Sequence, residues 1–169
     1  MEQRRTTREY SPTRLSLDDL AAILWAANGV NRSDGKRSAP SAHGRQHIDI
    51  YVTADAGGYL YDAPAHKLVE ITHQDIRGRL ARQAHVARSS HVFVLVADFR
   101  KVLGSSEDTK LGWTHSTAGA VAENVYLMAA ARGIGTGIVA GSKGNDIRQA
   151  LNLANDLVPL YVMPLGYLK

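Results

Sequence analysis

The chain of 169 residues has no cysteine, which excludes disulfides, thiolate nucleophiles and thiolate metal ligands together. Long apolar runs are missing as well. No stretch approaches the ~20 residues that a membrane-spanning helix needs, and the charged opening MEQRRTTREY leads into no apolar segment of the kind an export or lipidation signal carries. No membrane partner is expected, and the expected location is the cytoplasm. The common catalytic signatures are also absent: there is no H-E-x-x-H helix, no G-x-S-x-G elbow and no G-x-x-x-x-G-K-[ST] phosphate loop. His43 and His47 have i, i+4 spacing, but His47 opens a strand pattern and neither glutamate nor cysteine completes a ligand set, so no metal is expected. Ser41 lies in a loop without an acid nearby to complete a triad.

What remains is an ordinary globular composition. A hydrophobic fraction of 44% over this length suits one domain, residues 1–169, with a real core. Twenty Lys and Arg against sixteen Asp and Glu give a net charge of +4, which suits anionic ligands as well as nucleic acid. The basic residues are scattered, with two small clusters: Arg4, Arg5, Arg8 and Arg14 at the start, and Arg77, Arg79, Arg82 and Arg88 in the middle.

The strongest pattern lies at Ser116 to Gly141. Ala118, Val121, Ala122, Val125, Met128 and Ala129 make one helical face continuously apolar, and Ala120, Leu127, Ala130 and Ala131 make much of the other side small and apolar too. This predicts a buried central helix, with Ser116 or Thr117 as N-cap and Gly133 as the left-handed residue after its last turn. Gly135, Thr136 and Gly137 follow, leading into Ile138 and Val139. Gly135, Gly137 and Ala140 spell G-x-G-x-x-A, but a helix precedes them where a dinucleotide fingerprint requires a strand, so the Rossmann reading fails. The glycines still allow another backbone or a ligand to approach closely.

Elsewhere, Ser16 caps a helix whose face runs through Leu17, Leu20, Ala21, Leu24 and Trp25 to Asn28, with Gly29 ending it; Trp25 is expected in the core or an interface. Residues 29–46 form a long polar loop, and loops of that length are usually functional or disordered. Strands are expected at His47 to Thr53, Tyr59 to Tyr61 and Leu68 to Ile71, the first two joined by a turn at Asp55 to Gly58. Thr72 to Gln83 reads as a helix with a solvated cationic face. HVFVLVA, at His91 to Ala97, reads as a central strand covered on both sides. Phe99 to Trp113 reads as a second mobile loop, Asp146 to Leu153 as a short helix, and Val158 to Leu165 as a strand that Pro159 and Pro164 place at an edge or at strand ends.

RRTTREY brings three arginines and two threonines together, and guanidinium forks with hydroxyls are what a phosphate group requires. A solvated, frayed terminus is the bland alternative. With no acid, base or nucleophile in evidence, the pattern fits an enzyme whose bound cofactor carries the chemistry.

Several segments, in order, resemble the nitroreductase-like FMN flavoproteins. RRTTREY resembles that family's R-R-S-x-R-x-F opening. WAANGVNR and APSAHGRQHIDIYV resemble its W-A-A-N-G and P-S-A-x-N-x-Q segments, AGAVAENVYLMAAARGIGTG its central helix and G-x-G turn, and MPLGY its last strand. The resemblance implies an α+β fold with a central, mostly antiparallel sheet flanked by helices around a buried central helix. It also implies a homodimer with FMN at the subunit interface. By position, Arg4, Arg5, Thr6 and Arg8 would hold the phosphate and ring edge, Ser41 and Ala42 would border the cofactor, and Val139, Ala140 and Gly141 would line the ring. Gly44 stands where the family usually has a ring-contacting Asn, which leaves that hydrogen bond lost or supplied by backbone or Arg45. Lys169 or its terminal region is the candidate for a further phosphate contact. The implied activity is transfer of hydride from NAD(P)H through FMN to a small-molecule acceptor such as a nitro compound or quinone, by a ping-pong cycle and with no nucleic acid involved. Two other readings stay open: a flavin-dependent dehydrogenase of a peptide or small metabolite, and a non-catalytic basic module that binds anions or nucleic acid.

Overall fold

The structure, a computed structural model, describes residues 2–104, 106–139 and 142–169. Six strands form one sheet: β1 Ile48–Ala54, β2 Gly57–Asp62, β3 Lys67–Thr72, β4 His91–Asp98, β5 Ile134–Thr136 and β6 Leu157–Tyr167. Their order is β3-β2-β1-β4-β6-β5, and every neighbouring pair runs antiparallel. Five helices accompany them: α1 Leu17–Asn28, α2 Arg77–Leu80, α3 Ala84–Arg88, α4 Glu107–Ala131 and α5 Gly144–Ala150. Among the described residues no helix is long and apolar enough to cross a membrane.

The period-two alternation of a strand explains how one sheet serves two cores. Along β4, Phe93, Leu95 and Ala97 join Ile48, Ile50 and Val52 of β1 in packing against α1 and α4. Val92, Val94 and Val96 point the other way, onto Ile76, Leu80, Val86 and Ile147 beneath the short helices. All eight residues of β4 are therefore buried, as a continuous apolar run requires.

α1 starts where expected. The Ser16 side chain accepts the Asp19 amide at 3.1 Å, and Asp18 and Asp19 occupy the first turn. Its buried face is Leu20, Ile23, Leu24 and Ala27. Leu17, expected on that face, is 80% exposed because it is the first helical residue and precedes the sheet contact. Trp25 is 45% exposed and is not a core residue in the single chain.

Other expectations require correction. The central helix begins at Glu107, nine residues before Ser116, with Ser106 as N-cap accepting from the Thr109 amide at 3.2 Å. The early turns were illegible because between Glu107 and Ser116 only Thr114 is buried, which leaves no apolar period there. The second part of the expected loop at 99–113, residues 107–113, is thus helix. Gly133 does take a positive φ of 68° just after it. The expected helix over Thr72 to Gln83 shrinks to α2, since Thr72 still belongs to β3 and α3 begins only at Ala84. Arg77 is not solvated there: it pairs with Asp75 at 2.6 Å and donates to the Ser89 and Ser90 carbonyls. β6 lies between β4 and β5 rather than at the edge. Its prolines are tolerated because β5 pairs only with Leu165 to Tyr167, and because the register with β4 shifts beside Pro159.

Candidate functional site

The N-terminal segment is not frayed. Thr6 bridges Thr136 in parallel, the Thr7 amide donates to the Thr136 carbonyl at 2.9 Å, and the Ser11 amide donates to the Tyr167 carbonyl at 2.8 Å. The Tyr10 hydroxyl donates to the Thr7 carbonyl at 2.7 Å. Glycine makes this approach possible: a Cβ on Gly135 would lie 2.8 Å from Thr7 Cγ2, and one on Gly137 would lie 2.8 Å from Thr6 Cγ2. Of the two visitors the glycines allow for, one is a backbone.

Tyr126, from the last two turns of α4, completes the clamp. Its hydroxyl accepts the Ile138 amide at 2.8 Å and stands 3.4 Å from Thr6 Oγ1, to which its own proton can be given. The Arg4 guanidinium lies over the Tyr126 ring, 5.2 Å from its centroid. Three clefts surround the segment. One of about 350 Å³ is lined by Arg5, Thr7, Tyr126, Ala130 and Gly133. A second, of about 180 Å³, is lined by Thr6, Thr7, Arg8, Gln83, His85 and the backbone run Gly137 to Val139. The third, of about 460 Å³, is lined by Arg8, Glu9, Tyr10, Arg88 and Lys169.

Glu2 and Glu9 line the first and third clefts, but neither forms an ion pair with the arginines there among the described residues. Arg14, Arg77, Arg100 and Arg132 each hold an aspartate within 3.1 Å. Arg4, Arg5, Arg8 and Arg88 have no carboxylate partner among the described residues, and Lys169 adds a further cation beside Arg8. A cluster of free guanidiniums around clefts, on a segment fixed by strand hydrogen bonds, suits an anionic group such as a phosphate monoester.

The Ser41 loop is elsewhere. Ala42–Gly44 form a single 3-10 turn in which His43 and Gly44 take φ of 53° and 65°. Gly44 suits that left-handed backbone, which is a local reason for glycine where the family has Asn. The Ser41 hydroxyl stands 3.1 Å from Nδ1 of His47 and accepts the Gln46 amide at 2.9 Å, so its side chain is turned inward. Burial holds the His47 imidazole below its ordinary range, against a weaker pull from the Trp113 backbone. The His43 ring meets Trp113 edge-on at 5.1 Å. Trp113 and Tyr126 belong to the same helix, 13 positions apart (126 less 113), so at 1.5 Å per residue the two are about 20 Å apart.

Of the residues expected at the site, Arg4, Arg5, Thr6, Arg8 and Val139 are therefore gathered around the N-terminal segment. Ser41, Ala42 and Gly44 lie near the opposite end of α4. Ala140 and Gly141 lie outside the described residues. Sequence reasoning missed Tyr126, Gln83, His85 and Arg88. Tyr126 sits on the predicted helix three positions before Ala129 of the apolar face, and only its hydroxyl could have marked it.

Comparison with known proteins agrees with this architecture. The model of the Nitroreductase family matches residues 1–167. A protein of Methanocaldococcus jannaschii that carries the nitroreductase name is 33% identical over 97% of this chain and 87% of its own length. A crystal structure of a Ralstonia eutropha protein, likewise described as a nitroreductase, superposes with a TM-score of 0.93 at 32% identity, covering 99% of this chain and 80% of that one. The fold extends to a chain of the Escherichia coli microcin synthetase complex, with a TM-score of 0.84 at 17% identity over 95% of this chain and 67% of that one. On this match along almost its whole length, the chain belongs to the nitroreductase family of oxidoreductases.

Proposed function

We propose that the chain is an FMN-dependent oxidoreductase that takes electrons from NAD(P)H and gives them to a small-molecule acceptor, such as a nitro compound or quinone, in a ping-pong cycle. The observation that carries this reading is the N-terminal segment, whose Arg4, Arg5 and Arg8 have no carboxylate partners among the described residues while its backbone is held against β5. When bound, FMN supplies the hydride-accepting and hydride-donating chemistry. The chain's own part is placement. Arg4, Arg5, Arg8 and Thr6 hold the phosphate and ring edge, with Lys169 and Arg88 adding positive charge on the far side of Arg8. Val139 offers its side chain and carbonyl to the ring, because its amide is already given to the Val162 carbonyl at 2.9 Å.

The same reading makes the protein a homodimer. Within one chain the Ser41 turn and the N-terminal arginines sit near opposite ends of α4, about 20 Å apart by its rise, so neither end encloses a ligand by itself. Two chains packed about a twofold axis, with their central helices together, bring the Ser41 turn of each to the arginines of the other. Ala120, Leu127 and Ala130 of α4 are only half-buried in one chain and supply the apolar surface for that packing.

The test is kinetic. FMN-loaded protein mixed without oxygen with NADH or NADPH should lose its flavin absorption at 450 nm or so, and an added quinone or nitroaromatic should restore it in a separate step. Parallel lines in double-reciprocal plots are the matching steady-state result. Flavin that neither nucleotide bleaches would overturn the proposed donor and direct the search toward dehydrogenation of a peptide or metabolite.

A further inference from the structure

His85 is a titratable group that the proposed hydride chemistry does not require. It is half-buried on α3 and lines the 180 Å³ cleft opposite the N-terminal segment. The groups facing it are Thr6, Thr7 and Arg8 from that segment, Gln83 just before α3, Arg88 one turn further along α3, and the uncharged Gly137 to Val139 backbone. Arg8 lines both this cleft and the larger one that holds Glu9, Arg88 and Lys169, so it stands between them. Among the described residues no hydrogen bond fixes the imidazole; burial, Arg8 and then Arg88 hold it below the ordinary histidine range.

Resting on the FMN reading above, we propose that His85 is a proton-linked contact for the anionic part of the flavin held beside Arg8, so that placing negative charge in this cleft draws a proton onto its imidazole. The physical basis is charge balance. In the empty cleft two guanidiniums repel a third cation. A phosphate, or a ring edge that gains negative charge on reduction, offsets that repulsion and favours the imidazolium. The sign follows by linkage. Above the ligand-bound pKa the imidazole is neutral with or without ligand and contributes nothing. As pH falls through the ligand-bound pKa, the complex gains a proton that the free protein lacks, and affinity rises by up to about tenfold per pH unit. Below the ligand-free pKa both forms are protonated and the gain is constant. The FMN phosphate has its own second ionisation near pH 6, roughly, and this runs the opposite way. Because that contribution is common to every variant, His85 is read from the difference between variant and parent.

The experiment titrates FMN and riboflavin into full-length apoprotein between pH 5 and 9, roughly, by flavin fluorescence, for the parent, His85→Gln and His85→Lys. It also measures the midpoint potential of the bound flavin over the same range. If the charge is the phosphate, parent and His85→Gln diverge in FMN affinity toward low pH by up to about tenfold per unit, while riboflavin shows no such divergence. If the charge is on the ring, the divergence is in the pH slope of the midpoint potential. In either case His85→Lys, with a fixed cation, loses the parent's slope and binds at high pH at least as tightly, which keeps the test open should His85→Gln fold poorly. Parallel profiles for parent and variants in both measurements overturn the inference while leaving the FMN site standing. A parent protein that takes up no flavin at all overturns the FMN reading itself, and this inference with it.

Discussion

The phenol of Tyr126 accepts the backbone N–H of Ile138 at 2.8 Å and so ties the last turns of the central helix to the glycine turn that follows it. Because the same hydroxyl stands 3.4 Å from Thr6, one side chain holds both walls of the candidate site. Replacing Tyr126 by Phe keeps the ring beneath Arg4 but removes this link. The expected cost is about 1 kcal/mol of stability, or roughly 2 to 4 °C in Tm for a chain of this size. FMN affinity should fall several-fold at the same time. A melt and a flavin titration check this together, and an unchanged affinity would show that the walls hold without the clamp.

Arg4 and Arg8 lie on the pinned segment and have no carboxylate partners among the described residues. Replacing either by Ala should remove a charge-assisted hydrogen bond to FMN worth roughly 1.5 to 3 kcal/mol, which is about a tenfold to hundredfold loss of affinity. The fold should survive, since both side chains are exposed, and saturating FMN should restore much of the activity. Arg79→Ala, at an exposed position of α2, is the control and should leave FMN affinity nearly unchanged. Flavin titrations that find Arg4→Ala and Arg8→Ala as tight as the parent would return the segment to a structural role.

Gly135 tests the approach of the two backbones. A Cβ there would lie 2.8 Å from Thr7 Cγ2 and 2.9 Å from Thr7 Cβ, so Gly135→Ala must push the N-terminal segment off β5. Overpacking of this kind typically costs about 1 to 3 kcal/mol. The variant should melt earlier and bind FMN more weakly, and amide exchange at Thr7 should quicken. A Thr7 amide as protected as in the parent would contradict the pairing described.

His91, at the start of β4, links stability to pH. Burial pushes its imidazole down to about 4, and its Nδ1 lies 2.9 Å from the Ser90 hydroxyl. A buried neutral histidine binds its proton more readily in the unfolded chain, whose ordinary value is about 6.5. Its contribution is therefore complete above pH 6.5 or so and declines as pH falls toward about 4, by up to roughly 3 kcal/mol. Urea titrations from pH 7 to 4.5 or so should show this decline in the parent and a shallower one in His91→Gln. Equal slopes would show that other groups dominate.

The proposed sharing of the site between two subunits makes oligomeric state a further test. Sedimentation should find a dimer at micromolar concentration, and flavin uptake should fall under conditions that dissociate it. A folded monomer that binds FMN fully would contradict the proposed sharing of the Ser41 turn.

The elements legible in the sequence were those whose own residues decide their burial. β4 announced itself as an unbroken apolar run, β1 by alternation, and α1 by Ser16 and its acidic first turn. The first turns of α4 were hidden because they rest on the protein mainly through Thr114, and α2 was overextended because arginines were read as solvent-facing although Arg77 is spent on Asp75 and two carbonyls. The position of β6 depended on the pairing of its last residues with β5, a contact across more than 20 residues of chain. In the site, the arginine and threonine cluster was readable because its composition alone suits phosphate. Tyr126, His85 and Arg88 were not, since each becomes relevant only when the first ten residues dock against segments 80 to 160 positions away.

The central claim is the identity of the cofactor. Purified protein, supplied with a mixture of FMN and FAD and then freed of unbound flavin, is denatured and its extract resolved by chromatography. The expected result is FMN at about one equivalent per chain with little FAD, because the cationic cluster suits a terminal phosphate and the G-x-G-x-x-A spelling begins inside the antiparallel edge strand β5, with the next helix starting only at Gly144, and not at the strand-to-helix turn of a parallel βαβ unit. Stoichiometric FAD, or an extract without flavin, would contradict the account.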